Sequence, residues 1–404
     1  MSTSSRPRIR ELGYGPGRFT PGPRNSLLDV QGVRVGQVTL HEGRDIHTGV
    51  TVILPRGLKN TRRLPCYAAT HNLNGVGELT GSHCLAEWGF TNTPIALTNT
   101  VSVGKVYDAL FLWLLDQASR DGEDDLQALR QFSIPVVGET FDGLLNDIKA
   151  SVIDKSVVDE ALKLSETQPE ILEGNYGGGT AMRCHGYKGG TGTSSRIIPG
   201  ADRNYTLGVL VQSNYGQKKD LRIGNVPIGE LLDREKSSDT HELPLSGKAA
   251  EGSIIVVIMF VKPTLPSNSY LTYNPSTDAP LLPHQLRRIA QHAGMGVTQV
   301  GGHAAGRSYS GEIFLALSTG TSPNELATES SGFDYLPPVE SQTVETVKNE
   351  TIDSLFYAAS EATEEAILNS MCKAEPLVGF LGRVQPVLPV EKVKELLDRY
   401  MVRV

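Results

Sequence analysis

A serine stands directly before an unbroken apolar run in this chain. Gly252 and Ser253 are followed by residues 254–260, which are all apolar and mostly β-branched. Such a run predicts a buried central strand, with the serine at the edge or mouth of its sheet. The pattern has an ordinary interpretation as well, because many core strands begin after a Gly-Ser turn.

A second interpretation gives this serine a chemical role. If the chain cuts its own Gly252–Ser253 bond, Ser253 becomes an N-terminal residue that carries a hydroxyl nucleophile and an α-amine together. Such an amine has a reference pKa of roughly 7.7 to 8.0, so at neutral pH it can help to remove the proton from the hydroxyl. A glycine before the serine suits this reaction, because a Cβ would hinder attack on the preceding carbonyl.

Composition argues against several classes of function. The chain has 404 residues, is 39% hydrophobic and 21% charged, and carries a net charge of -7, which disfavours nucleic acid or an anionic membrane as a partner. Four scattered cysteines without a CxxC pair indicate reduced thiols and a cytoplasmic protein. No apolar run is long enough for a membrane span or an export signal. The nine histidines show no metal-ligand spacing, so neither a metal nor another cofactor is predicted.

Periodicity predicts an α+β order in which helices cover large sheets. Apolar residues at helical spacing between Val106 and Leu114 form a core-facing stripe that includes Trp113. Helices are also predicted for residues 151–164, 282–293, 353–372 and 390–400, and strands for residues 33–40, 49–54, 94–103, 134–140, 196–198, 206–212 and 308–317. The glycine-rich first 26 residues are predicted to form an irregular arm on the surface or on a neighbouring subunit.

Polar residues occur at the ends of the predicted strands. Ser310 and Glu312 are two residues apart, so both side chains project from one face and can reach one point, although a solvent-facing strand entry has the same pattern. Glu139 ends another strand, where its carboxylate can bind a cationic group or cap the next helix. Asn214 also lies at a strand end, and its amide is the kind of neutral donor that stabilises an oxyanion.

Two glycine clusters, residues 177–181 and 189–196, leave a different class of function open. Neither has the Gly-Lys-Ser/Thr offset and the following helix of a phosphate-binding loop. A β-hairpin bend or a neighbour of the autoprocessing site is the better interpretation of the second cluster. The alternative that remains is a small-molecule or nucleotide-binding protein that uses these loops and is never cleaved.

Taken together, these segments resemble the L-aminopeptidase/D-esterase family, which includes the β-peptidyl aminopeptidases. The resemblance covers roughly residues 25–374 and rests on motifs in the family's order, at residues 137–140, 189–196, 252–257, 277–286 and 310–312. It implies a single domain over residues 1–404 with a four-layer αββα sandwich similar to N-terminal nucleophile hydrolases. It also implies cleavage into chains 1–252 and 253–404, which stay associated as a homo-oligomer of such pairs.

The same resemblance implies roles for individual residues. Ser253 is the nucleophile, and Gly252–Ser253 is the bond that is cut. Ser310 and Glu312 orient and tune the hydroxyl and the new amine. Asn214 stabilises the oxyanion, and Glu139 binds the free amino group of the substrate.

The implied activity is that of a self-processing serine aminopeptidase. It releases N-terminal amino acids from small peptides, amides or esters through an acyl-enzyme. A related acyltransferase is an alternative within the enzyme class, although such relatives as a rule use threonine as the nucleophile.

One segment departs from the family pattern. Residues 262–276 separate the nucleophile strand from Thr277-Asp278, which in the family follow it almost directly. This insertion is expected to form either a wall or lid of the pocket or a surface loop. The substrate preference of relatives therefore does not transfer directly to this chain.

Overall fold

Two β-sheets stacked face to face form the centre of the protein, and helices cover the outer face of each. The computed structural model describes residues 6–123, 133–234, 252–261, 280–301, 309–320, 339 and 341–402. The first sheet has the strand order β1 (Arg34–Glu42), β2 (Ile46–Leu54), β5 (Ile95–Asn99) and β6 (Val136–Thr140). The second has the order β4 (Phe90–Thr91), β3 (Cys66–Gly75), β12 (Gly311–Ser318), β11 (Ser253–Val261), β10 (Asn204–Asn214) and β9 (Gly190–Pro199).

Two short hairpins lie outside these sheets. One pairs β7 (Arg183–Cys184) with β8 (Tyr187–Lys188), and the other pairs β13 (Leu377–Val378) with β14 (Val384–Gln385). The described helices are α1 (Gly57–Asn60), α2 (Ser82–Trp88), α3 (Val103–Arg120), α4 (Lys155–Leu164), α5 (Ile228–Arg234), α6 (Pro283–Val300), α7 (Asp353–Cys372) and α8 (Val390–Tyr400). Within the described ranges, no helix is both long and apolar enough to cross a membrane.

Strand β11 supplies apolar side chains to two layers of the core. Ile255 and Val257 point between the two sheets, where they meet residues of β2, β5 and β12. Ile254 and Val256 point to the other face, where α6 and α7 cover the second sheet. A third apolar layer, which includes Trp113, lies between the first sheet and α3 and α4. These layers confirm the predicted αββα sandwich and the buried central strand, and Trp113 has the packing role that the periodicity predicts.

Some predicted element boundaries were wrong. The helix predicted from residue 151 begins at Lys155, because the carboxylate of Asp154 caps it by accepting hydrogen bonds from the N–H groups of Ser156 and Val157. The strand predicted for residues 94–103 ends at Asn99, whose side chain accepts a hydrogen bond from the N–H of Ser102 at 3.0 Å. The helix predicted for residues 282–293 continues to Val300.

The N-terminal arm packs on its own chain. Ile9 is fully buried, and its N–H donates to Asn369 Oδ1 of α7 at 3.1 Å. Arg10 binds the carboxylate of Glu365, also on α7, through two hydrogen bonds of 2.7 and 2.8 Å. The described part of the arm, from residue 6, is therefore an integral layer over α7.

The glycines of the two clusters allow close packing against neighbouring chain segments. A Cβ on Gly178 would lie 2.0 Å from Gln212 Oε1, and one on Gly179 would lie 2.2 Å from the backbone N of Thr191. The second cluster forms strand β9, where a Cβ on Gly192 would lie 1.9 Å from the carbonyl oxygen of Ala366. The prediction of a bend there was wrong, and neither cluster supports the binding-protein alternative.

Candidate active site

Three neighbouring strands of the second sheet bring their ends together around Ser253. Ser253 is the first residue of β11 and pairs with Asn214, the last residue of the antiparallel strand β10. On the other side it pairs with Gly311, the first residue of the parallel strand β12. Its 8% exposure leaves it just below the surface. Residues that are far apart in the sequence thus meet where these three strands begin or end.

A hydrogen-bonded chain leads from a buried carboxyl group to the bond before Ser253. Ser310 Oγ donates to the carbonyl oxygen of Gly252 at 2.5 Å and is also hydrogen-bonded to Glu312 Oε1. Asn74 Nδ2 donates to the other oxygen of Glu312 at 2.8 Å. Because a serine hydroxyl has one hydrogen, Ser310 donates to only one of these two oxygens at a time.

Burial and hydrogen bonding act in opposite directions on the pKa of Glu312. The residue is fully buried, and burial raises the pKa of its carboxyl group, while hydrogen bonds from Ser310 and Asn74 act in the opposite direction. The predicted pairing of Ser310 with Glu312 on one face is therefore present in the structure. Its contact with the Gly252 carbonyl places the pair at the predicted cleavage site.

Both the oxygen and the nitrogen of the Asn214 side-chain amide are hydrogen-bonded. Its Oδ1 accepts a hydrogen bond from the N–H of Arg183 at 2.9 Å, and its Nδ2 donates to the carbonyl oxygen of Phe141 at 2.9 Å. An amide nitrogen has two hydrogens, and the second has no acceptor among the described residues. A fixed donor beside Ser253 is the arrangement that an oxyanion requires.

Glu139 lies above the β12 side of the nucleophile. A Cβ on Gly77 would be 3.5 Å from both Glu139 Oε1 and the Cα of Gly311, the residue paired with Ser253. The carboxylate accepts hydrogen bonds from the N–H of Glu78 at 3.2 Å and from the hydroxyl of Thr100. Burial raises its pKa, and neither of these two partners is a cation. A carboxylate without a cationic partner is suited to an ammonium group.

Gly252 is a position where only glycine fits. A Cβ at this residue would lie 1.8 Å from the carbonyl oxygen of Asn214 and 2.7 Å from the Cα of Tyr215. The tight approach holds the Gly252 carbonyl beside Ser310. The glycine expected on chemical grounds is thus also required by packing.

Sequence reasoning missed the partners that hold the predicted residues. These are Asn74 for Glu312, Thr100 for Glu139, and the Phe141 carbonyl and Arg183 N–H for Asn214. Asn74 lies in a segment rich in amides and glycines, and this composition could have identified it as a candidate. A backbone carbonyl leaves no such signal in the sequence. In the described part of the chain, no three His, Cys, Asp or Glu side chains cluster as metal ligands would.

Some sequence-based expectations lie outside the described residues. They include the insertion at residues 262–276 and the Thr277-Asp278 pair that follows it.

Several known proteins are similar to this chain. The profile of peptidase family S58 matches residues 25–385. The chain is 37% identical to the beta-peptidyl aminopeptidase BapA of Sphingosinicella microcystinivorans, over 98% of this chain and 92% of that protein. Among solved structures, a Burkholderia sp. beta-aminopeptidase has a TM-score of 0.81 and 38% identity, over 98% of this chain and 100% of that one. The L-aminopeptidase D-Ala-esterase/amidase of Ochrobactrum anthropi, described as a variant of the Ntn hydrolase fold, has a TM-score of 0.80 and 34% identity, over 98% and 99%.

Proposed function

This chain belongs to peptidase family S58 and is an aminopeptidase with an N-terminal nucleophile hydrolase fold, and from that premise we propose that Ser253 is its nucleophile, released by cleavage of the Gly252–Ser253 bond. The observation that carries the proposal is the meeting of Ser253 with the Ser310–Glu312 pair at the Gly252 carbonyl. Residues 1–252 and 253–404 are then the two chains of the mature enzyme.

Cleavage begins when Ser253 Oγ attacks the carbonyl carbon of Gly252. The negative charge that develops on the carbonyl oxygen is stabilised by the hydroxyl of Ser310, which lies 2.5 Å away. The C–N bond breaks, the nitrogen of Ser253 takes up the proton that Oγ loses and becomes an amine, and Gly252 is left as an ester on Ser253 Oγ. Water then hydrolyses this ester and frees the serine.

Turnover of a substrate uses the same groups with new roles. The α-amine of Ser253 accepts the hydroxyl proton as Oγ attacks the scissile carbonyl. Asn214 stabilises the oxyanion with the Nδ2 hydrogen that has no described acceptor, and Glu139 binds the substrate ammonium. The leaving amine takes the proton and departs, and water hydrolyses the acyl-enzyme.

The substrates that we propose are small peptides, amides or esters with a free amino group. The names of the relatives suggest testing derivatives of β-amino acids, L-amino acids and D-alanine. We also propose that the cleaved pairs form a homo-oligomer. A cytoplasmic location is proposed because none of the four cysteines, which all lie in the described ranges, forms a disulfide bond.

The first test compares wild-type protein with Ser253→Ala by intact mass and N-terminal sequencing. We expect two wild-type fragments, the smaller beginning Ser-Ile-Ile-Val, whereas Ser253→Ala stays whole and does not hydrolyse amino-acid amides. Ser156→Ala, at an exposed position of α4, is the matched control and should be cut like the wild type. A folded wild type that hydrolyses amides as one unbroken chain contradicts the self-processing mechanism.

A further inference from the structure

Arg183 is a basic residue next to the proposed active site, and the proposed mechanism gives it no role. It is the first residue of β7, and its backbone N–H donates to Asn214 Oδ1 at 2.9 Å. The next residue, Cys184, is fully buried in the apolar layer that includes Tyr215. Because side chains alternate along a strand, the Arg183 side chain leaves β7 on the face opposite to that layer. A long side chain therefore starts next to the proposed oxyanion donor.

The guanidinium group of Arg183 lacks an acidic partner among the described residues. Its Nε–H is buried and finds no hydrogen-bond acceptor there, and burial lowers the pKa of Arg183 with no carboxylate acting in the other direction. Other buried arginines of the chain are paired: Arg8 with Glu173, Arg62 with Asp121 and Glu123, and Arg196 with Glu361 and Glu365. A half-buried guanidinium without such a partner is suited to a carboxylate from outside the chain.

Arg183 and Glu139 lie on opposite sides of the nucleophile. Glu139 is above Gly311, on the β12 side of Ser253, whereas Arg183 is attached to Asn214, on the β10 side. Neighbouring strands are about 4.8 Å apart, so the Glu139 carboxylate and the backbone of Arg183 lie on opposite sides of Ser253. If the substrate ammonium binds at Glu139, the leaving group extends toward Arg183.

We propose that Arg183 binds the carboxylate of the leaving amino acid, so that the enzyme prefers dipeptides with a free C-terminus over the corresponding amides. A dipeptide carries an ammonium at one end and a carboxylate at the other, and the site offers an opposite charge to each. This inference rests on the proposed function, because it takes Ser253 as the nucleophile and Glu139 as the ammonium site.

The test measures kcat/KM for two substrates, β-alanyl-leucine and its C-terminal amide. In the wild type we expect a preference for the free acid. In Arg183→Gln the acid-to-amide ratio of kcat/KM should fall by roughly ten- to hundredfold, mainly through KM of the acid, because an ionic hydrogen-bonded pair is lost. Arg183→Lys keeps the charge without the planar fork and should recover part of the ratio.

Arg203→Gln is the matched control, since it removes the same charge at the opposite end of β10. It should leave the acid-to-amide ratio at the wild-type value. An unchanged ratio in Arg183→Gln, or an equal loss for both substrates, overturns the inference and indicates that Arg183 has at most a structural role. If the wild type cleaves neither these substrates nor any other amino-acid amide, the proposed function itself fails.

A second measurement needs no variant and covers the case in which Arg183→Gln does not fold. Leucine and leucinamide are compared as inhibitors of the wild type acting on a chromogenic amide. Leucine should inhibit at a concentration at least about tenfold lower than leucinamide, because only leucine carries the carboxylate. Equal inhibition by the two contradicts the inference.

Discussion

Glu139 combines burial with a function that requires charge. Its carboxyl group is 5% exposed, and burial raises its pKa, with the nearby charge of Glu78 adding in the same direction. Only the ionised form attracts an ammonium group. As the pH falls, Glu139 therefore loses its charge at a higher pH than an ordinary glutamate does. This loss of charge should be visible in the pH dependence of kcat/KM.

We expect Glu139→Gln to raise KM and to simplify the acidic side of the pH profile. As pH falls through the raised pKa of Glu139, the wild-type carboxylate is protonated and substrate binding is lost. The slope of log kcat/KM against pH in that range should therefore be smaller by about one in the variant. The measurement is kcat/KM for an amino-acid amide over the acidic pH range.

Glu78→Gln provides the matched control, because Glu78 is exposed and its hydrogen bond to Glu139 comes from the backbone N–H. Loss of the Glu78 charge should move the acidic limb to lower pH, since that charge raises the pKa of Glu139, but the wild-type slope should persist. The other groups of the site are the same in all three proteins, so their contributions to the slope cancel in the comparison. A profile for Glu139→Gln as steep as that of the wild type argues against the role of Glu139 in ammonium binding.

At the scale of elements, the N-terminal arm is fastened to α7 by buried charges. Glu365 is fully buried and contacts Arg10, Arg196 and Asn25. Burial alone would raise its pKa, but hydrogen bonds and charges from Arg10 and Arg196 hold the pKa below its usual value. Its neighbour Glu364 bonds the hydroxyl of Tyr14, and burial raises the pKa of Glu364 to about 7. The ionised Glu365 thus depends on both arginines.

We predict that Arg10→Met lowers the free energy of unfolding by about 2 kcal/mol. The change leaves a buried carboxylate with one cation fewer, and the expected loss is below that of a fully buried pair because the Arg10 side chain is 34% exposed. Urea unfolding should be measured in the Ser253→Ala background, so that a single covalent chain unfolds.

Lys155→Met is the control for that prediction. It removes a helical ion pair with Asp159 whose side chains are 43% and 45% exposed, and it should cost about 0.5 kcal/mol or less. Equal effects of the two substitutions would show that the contact between arm and helix adds little stability.

Elements with strong local signals could be predicted from the sequence. Helices α7 and α8 have the predicted bounds, and β11 is the buried strand that its apolar run indicates. Boundaries set by single side chains, such as the cap at Asp154, were missed. The catalytic candidates carried recognisable motifs, but their partners Asn74 and Thr100 are 238 and 39 residues away from the carboxylates that they contact. Only the folded chain brings them together.

At the scale of the whole molecule, the proposed cut passes through a sheet that both products share. Strands β11 and β12 belong to residues 253–404, yet they lie between β3 and β10, which belong to residues 1–252. Helix α7 of the second product also packs on β9 and on the N-terminal arm of the first. Separation of the products requires the loss of two strand pairs and of this helix contact.

We therefore expect the two fragments of the processed enzyme to co-elute in size-exclusion chromatography under native conditions. They should separate in denaturant, where the shared sheet is lost. The uncut Ser253→Ala protein is the reference for the elution volume. Elution of the wild-type fragments as two species in native buffer contradicts this prediction.

The interleaved order of strands also has a consequence during translation. When the ribosome has made only the first 252 residues, β3 and β10 have no partner between them, so each presents an open edge backed by apolar side chains. Open edges of this kind join other chains and lead to aggregation. A continuous precursor supplies β11 and β12 at high effective concentration, whereas halves made from separate messages would have to find each other in solution. An uncut precursor thus helps the shared sheet to assemble before the proposed cleavage releases the nucleophile.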